Sequence, residues 1–141
     1  MGTSKTVVYI ADDDADDRYF MHQALLLAEP SITFIETADG QGLLNLMQNR
    51  NPESASQSVN LILLDMNMPR CNGLETLVAL KANPALRHIP TVMISTSAQP
   101  DQVAAAYQNG ISSCIKKPMS FLDLTNIAKA LKICFLDAAM K

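Results

Sequence analysis

The sequence predicts one α/β domain, a doubly wound five-stranded parallel sheet with helices on both faces. Strand-like apolar runs alternate with helix-like runs along the whole chain, which is the pattern of successive βα units. The 141 residues suit one well-buried domain and are too few for two ordinary ones. Apolar residues make up 48% and charged residues 18%, a globular balance far from the disordered class. Right-handed crossovers between parallel strands then put helices on both sides of the sheet.

The elements follow in order. The first unit pairs Thr6 to Ile10 with a helix from about Asp16 to Ala28, in which Phe20, Ala24 and Leu27 fall at helical spacing and Pro30 marks the end. The second pairs Ile32 to Thr37 with Gln41 to Arg50, burying Leu43, Leu44, Leu46 and Met47. The stretch 51–60 is polar, with one Pro and three Ser, and reads as a loop. The third unit pairs Leu61 to Asp65 with a helix from Gly73 to Ala82 that buries Leu74, Leu77 and Val78 and stops at Asn83-Pro84. The fourth pairs Thr91 to Ser95 with Asp101 to Asn109, and Gly110 supplies a residue that tolerates positive φ at the helix end. The fifth pairs Ser113 to Lys116 with a final helix from Phe121, striped by Leu124, Ile127, Leu131 and Phe135.

Composition excludes several function classes. Eleven basic against fourteen acidic residues give a net charge of −3, and no Lys/Arg cluster offers a footprint for nucleic acid or anionic lipid. No apolar stretch approaches the roughly 20 residues of a membrane span, and there is no signal-peptide core. Cys71, Cys114 and Cys134 are odd in number and lack metal or disulfide spacing. A reducing cytoplasm is the expected location. The start Met1-Gly2-Thr3-Ser4-Lys5-Thr6 fits the loose myristoylation pattern, but Thr6 abuts the first strand and an ordinary chain start is the better reading.

Chemistry gathers where strands end. Asp65 closes the apolar run Leu61-Ile62-Leu63-Leu64, Asp12 and Asp13 follow the first strand, Ser95 ends the fourth and Lys117 follows the fifth. In an open parallel sheet such positions line the crevice where strand order reverses. Carboxylates crowded there repel one another unless protonated or bridged by a cation, and all-oxygen ligation suits Mg²⁺. A carboxylate can act as a nucleophile toward phosphorus, while a lysine and a hydroxyl bind phosphoryl oxygens as charge spreads over them. The set amounts to a phosphoryl-transfer site in which the protein carries the acceptor.

These residues also carry a resemblance that covers nearly the whole chain. Ala11-Asp12-Asp13-Asp14, Asp65-Met66-Asn67-Met68-Pro69 with Asn72-Gly73, Ser95-Thr96-Ser97 and Lys117-Pro118 together resemble the receiver domain of two-component response regulators. The resemblance implies a (βα)5, flavodoxin-like fold over 1–141. It implies that Asp65 is the phosphoacceptor, that Asp12, Asp13, Asp65 and the Asn67 carbonyl hold Mg²⁺, that Ser95 is the switch hydroxyl and that Lys117 binds the phosphoryl group, with a cis bond to Pro118. The donor is then a sensor histidine kinase or a histidine phosphotransfer protein. With one helix after the last strand, the chain is expected to be a stand-alone switch and not a turnover enzyme. Output passes to a protein target through the face of the fourth helix, fifth strand and fifth helix, a face also open to dimerisation. The longer loop before the third strand resembles that of the small regulators partnered with bacterial phytochromes.

Other readings compete with these. Asp14, Asp16 and Asp17 read as helix-cap and first-turn charges, not metal ligands. His22 and His88 lack a metal-spaced partner, and the eight Met residues are core filling. Asn67 and Ser97, each two residues beyond a functional position, border the path that the resemblance implies for hydrolytic water. Cys114 stands where the family carries a large ring. The rival functions are a Mg²⁺-dependent phosphohydrolase, which normally wants an acid where Asn67 stands, and a degenerate receiver that only binds partners.

Overall fold

A computed structural model of the chain describes residues 6–49 and 59–137. The strands are β1 (Thr6–Ala11), β2 (Ile32–Thr37), β3 (Leu61–Leu64), β4 (Thr91–Ser95) and β5 (Ser113–Lys116). The helices are α1 (Ala15–Ala28), α2 (Gly40–Gln48), α3 (Gly73–Ala82), α4 (Pro100–Gln108) and α5 (Phe121–Leu131), the last running into a π-helical turn, Lys132–Leu136. All strand pairs are parallel, in the order β2-β1-β3-β4-β5. Strand order therefore reverses between β1 and β3, as doubly wound sheets require.

Alternation along each strand sorts its side chains between two cores. Val8, Ile10, Leu61, Leu63, Val92 and Ile94 meet α1 and α5 on one face. Val7, Tyr9, Ile62, Leu64 and Met93 meet α2, α3 and α4 on the other. β1, β3 and β4 are buried throughout, so truncating a side chain such as Leu63 to Ala would cost about 2–5 kcal/mol. No described helix is long and apolar enough to cross a membrane.

Helix starts are fixed by side chains that satisfy free N–H groups. Asp14 accepts from the N–H groups of Asp16 and Asp17, Asp39 accepts from Gly42, and Asn72 with Glu75 forms a capping box on α3. Each such cap contributes about 1 kcal/mol. Gly110 takes φ +93° after α4, the conformation its position called for.

Three helix faces differ from expectation. On α1 the buried residues are Met21, Ala24 and Leu25, while Phe20 and Leu27 are exposed. That helix is apolar on more than one side, so spacing alone does not select the face. Leu46 and Val78 are likewise exposed, and in α3 Thr76 and Leu80 take the buried positions beside Leu77. α2 ends at Gln48, two residues before the expected limit of Arg50, which lies outside the described residues together with most of the polar loop.

Candidate functional site

Strand alternation also decides which strand-end groups meet. Continuing the pattern Val8, Ile10 puts Asp12 on the α1/α5 side, and Leu61, Leu63 puts Asp65 there too. Ile115, on the same face, leads to Lys117. Each of these residues stands one position past its strand yet stays in the sheet's hydrogen-bond pattern. The Asp12 N–H donates to Thr37 O (3.1 Å), that of Asp65 to Ala11 O (2.9 Å) and that of Lys117 to Ser95 O (3.0 Å). Their backbones are thus set by the sheet rather than by loose loops.

The side chains converge. Carboxylate oxygens of Asp12, Asp13 and Asp65 lie within 4.8 Å of one another, with Asp12 and Asp65 buried and Asp13 exposed. Lys117 Nζ is 2.8 Å from Asp12 Oδ2 and 3.6 Å from Asp65 Oδ2. It is also 2.8 Å from Asp17 Oδ2, on the first turn of α1. The other Asp12 oxygen accepts from the Asp14 N–H at 2.9 Å, and the Arg18 guanidinium donates to the Asp12 backbone carbonyl.

This crowding has electrostatic consequences. Burial pushes the Asp65 carboxyl up to about 6, with the charges of Asp12 and Asp13 adding to the rise while Lys117 and the Asn67 N–H oppose it. Burial works against the charged form of Lys117. Its hydrogen bonds to Asp12 and Asp17 and the nearby charges of Asp12 and Asp65 more than offset that, holding its pKa above the usual value. The site therefore combines a permanent ammonium with a carboxyl, that of Asp65, which burial makes harder to ionise. Hard carboxylate oxygens at this separation fit a small divalent cation such as Mg²⁺.

Ser95 sits elsewhere. It follows Met93, so its side chain belongs to the opposite face. There it lines a hollow of about 370 Å³ with Thr96, Val103, Tyr107 and Cys114. Its Oγ accepts from the Ser97 N–H at 3.4 Å. Asp12, Asp17, Asp65 and Lys117 instead line a hollow of about 380 Å³ on the α1/α5 side, whose apolar wall includes Phe20 and Phe121. Asn67 Nδ2 donates to Ser97 Oγ at 2.8 Å, which joins the loop after Asp65 to the loop after Ser95.

Two further features concern the loop that follows Asp65. Arg70 (φ 57°) and Cys71 (φ 147°) adopt left-handed backbone that non-glycine residues rarely take. The Arg70 guanidinium grips Asp39, with Nε at 3.1 Å and a second, shorter bond from Nη2. The hydrogen bond from Arg70 and the N–H of Gly42 hold the Asp39 carboxyl below its usual range despite its burial. Lys117-Pro118 departs from expectation, since no described peptide bond is cis. The trans form is the ordinary preference of an X-Pro bond, by about 0.5–1 kcal/mol.

Sequence reasoning missed Asp17, treated as a first-turn charge, and the pairing of Arg70 with Asp39. A signal existed for the first. Asp12 and Lys117 both project toward α1, and Asp17 is in the turn of α1 nearest the strand ends.

Known proteins match this arrangement. The family described as the response regulator receiver domain matches residues 8–129. Response regulator Rcp1 of Synechocystis sp. is 29% identical over 133 residues, spanning 94% of this chain and 90% of that protein. The polar-differentiation response regulator DivK of Brucella ovis is 28% identical over 117 residues, 83% of this chain and 87% of the relative. The phosphorylated cyanobacterial phytochrome response regulator RcpA superposes with a TM-score of 0.85 at 25% identity, covering 95% of this chain and 96% of that one. The Mn²⁺-bound form of Rcp1 gives 0.80 at 28% identity, with 94% and 96% covered. These relatives are signalling proteins, and the chain belongs to the receiver-domain family of two-component response regulators.

Proposed function

We propose that this receiver is a phosphorylation-driven switch that accepts a phosphoryl group on Asp65. The observation that carries the reading is the convergence of three carboxylates and one half-buried lysine at the point where strand order reverses. Asp12, Asp13, Asp65 and the Asn67 carbonyl would hold Mg²⁺, which when bound supplies positive charge against the repulsion between these acids and an anionic phosphoryl group. An Asp65 oxygen bonds to phosphorus as the P–N bond to a donor phosphohistidine breaks, and the imidazole leaves with the bonding electron pair. Lys117 donates an N–H to a phosphoryl oxygen, and Ser95 is the hydroxyl that engages the same group on activation.

The donor is a sensor histidine kinase or histidine phosphotransfer protein, and likeness to RcpA favours a kinase of the phytochrome type. The whole chain, 1–141, acts as one receiver in the cytoplasm. Its output is a change in protein contacts on the α4/β5/α5 face, through a target protein or a second copy.

Intact-mass analysis after incubation with acetyl phosphate and Mg²⁺ tests the reading. The expected result is one added phosphoryl group on the wild-type protein and none on Asp65→Asn. An unchanged wild-type mass, with another receiver labelled in parallel, would identify a degenerate binding module instead.

A further inference from the structure

We propose that Asp17 is a positioning residue of this site, acting through Lys117. The inference rests on the phosphoacceptor reading above and adds a residue to it. A lysine ammonium has three N–H donors and a flexible four-carbon stem, so its direction must be imposed from outside. Here two carboxylates impose it. Asp12 Oδ2 and Asp17 Oδ2 each stand 2.8 Å from Nζ, whereas Asp65 Oδ2 is at 3.6 Å, beyond a good hydrogen bond. Two donors are engaged and the third remains for an oxygen arriving on Asp65.

The two anchors are attached differently. Asp12 belongs to the sheet edge, and Asp17 reaches Lys117 from α1, across a sequence separation of 100 residues. Asp17 is also outside the trio of carboxylates close enough to share a cation, so its service to the site runs through the lysine. Its side chain is 40% exposed while that of Lys117 is 13% exposed. An ion pair with one partner so exposed adds little to stability. Phosphoryl transfer depends far more on placement, since a displacement of about 1 Å in a reacting constellation can cost on the order of 100-fold in rate.

The test compares wild type, Asp17→Ala, Asp17→Asn and Asp17→Glu for the rate of labelling by acetyl phosphate with Mg²⁺, followed by intact mass. Asp17→Ala is expected to label about tenfold more slowly. Asp17→Asn, which keeps the shape and an acceptor oxygen, should fall between it and wild type, and Asp17→Glu should restore much of the rate. A second readout is the Nζ signal of Lys117 by NMR, expected in the wild type and lost to rapid exchange with water in Asp17→Ala. A wild-type rate in both Asp17→Ala and Asp17→Asn overturns the proposal, as does slow labelling with the Lys117 signal intact, which would mean a purely structural role. If wild type labels and these variants match it, only this inference falls. If wild type takes no phosphoryl group, the phosphoacceptor reading falls and the inference with it.

Discussion

The same strands build two hollows at the carboxyl edge of the sheet, about equal in size and opposite in character. The one under α1 and α5 holds Asp12, Asp17, Asp65 and Lys117. The one under α4 is lined by Ser95, Thr96, Tyr107 and Cys114, with Lys116 its one charged residue. The difference comes from a single residue of strand phase: Lys116 and Lys117 are neighbours in the chain and lie on opposite sides of the sheet. A period of two makes the sheet a partition. The carboxylates are confined to one side, and the hydroxyl assigned to the switch waits on the other. Communication between them must pass around the strand ends, where Asn67 and Ser97 already touch.

The largest expected effect breaks the charged side. Asp13→Asn removes one carboxylate of the trio, so the Mg²⁺-dependent rise in stability should vanish. At a hundredfold excess over Kd that rise is worth about 2.7 kcal/mol in the wild type. Without metal the variant should be no less stable, because repulsion among the remaining acids is relieved. Thermal melts with and without Mg²⁺ measure both, and a wild-type metal shift would remove Asp13 from the ligand set.

A smaller effect follows from the carboxyl of Asp65, raised to about 6. Between its unfolded value near 4 and 6, the folded protein binds more protons than the unfolded chain, so this group makes stability fall as pH rises. Above 6 its contribution is flat. Asp65→Asn should therefore gain on wild type between pH 4 and 6 in the absence of metal and keep a higher Tm above that window. A constant gap across that window would show that the acid is not perturbed by folding.

The bridge between the two sides offers a kinetic prediction. Replacing Asn67 by Glu removes the amide that donates to Ser97 at 2.8 Å and adds an acid beside Asp65. The half-life of the phosphorylated state should change severalfold, on the order of 1 kcal/mol in the barrier, while Asp65 remains the labelled residue. Equal half-lives in this variant and in a bulky Ser97 variant would mean that neither side chain borders the path of water.

The smallest effect sharpens the Ser95 side. Cys114 leaves room where relatives are expected to place a ring, and Tyr107 reaches in from α4 so that its hydroxyl accepts from the Cys114 N–H at 3.1 Å. Tyr107→Phe should cost about 0.5 kcal/mol, the low end for a half-exposed hydrogen bond, and speed amide exchange at Cys114. If exchange there is unaltered, Tyr107 does not brace β5.

The fold was legible because strand and helix patterns differ in period and each strand end is punctuated by a polar residue. The meeting of Asp12, Asp65 and Lys117 was legible too, since all three continue the same strand face. Three things were not. Phe20 and Leu27 misled because α1 carries apolar residues on several sides, and only the packed sheet selects Met21 and Leu25. Asp17 was one of several acids in a row, and nothing local distinguishes the one that meets a lysine 100 positions away. The separation of Ser95 from the charged hollow follows from alternation, but grouping strand-end residues by height alone conceals it.

Gly40, at the start of α2, has its own consequence. A side chain there would collide with Thr76 Oγ1 and the Cys71 carbonyl, and next to it Asp39 grips Arg70. The turn entering α2 and the segment after Asp65 are thus mated surfaces. Anyone building chimaeras from this scaffold, or exchanging the loop after Asp65 for that of a relative, would have to move both pieces together. Either one alone would arrive without its counterpart, leaving the left-handed residues Arg70 and Cys71 unsupported.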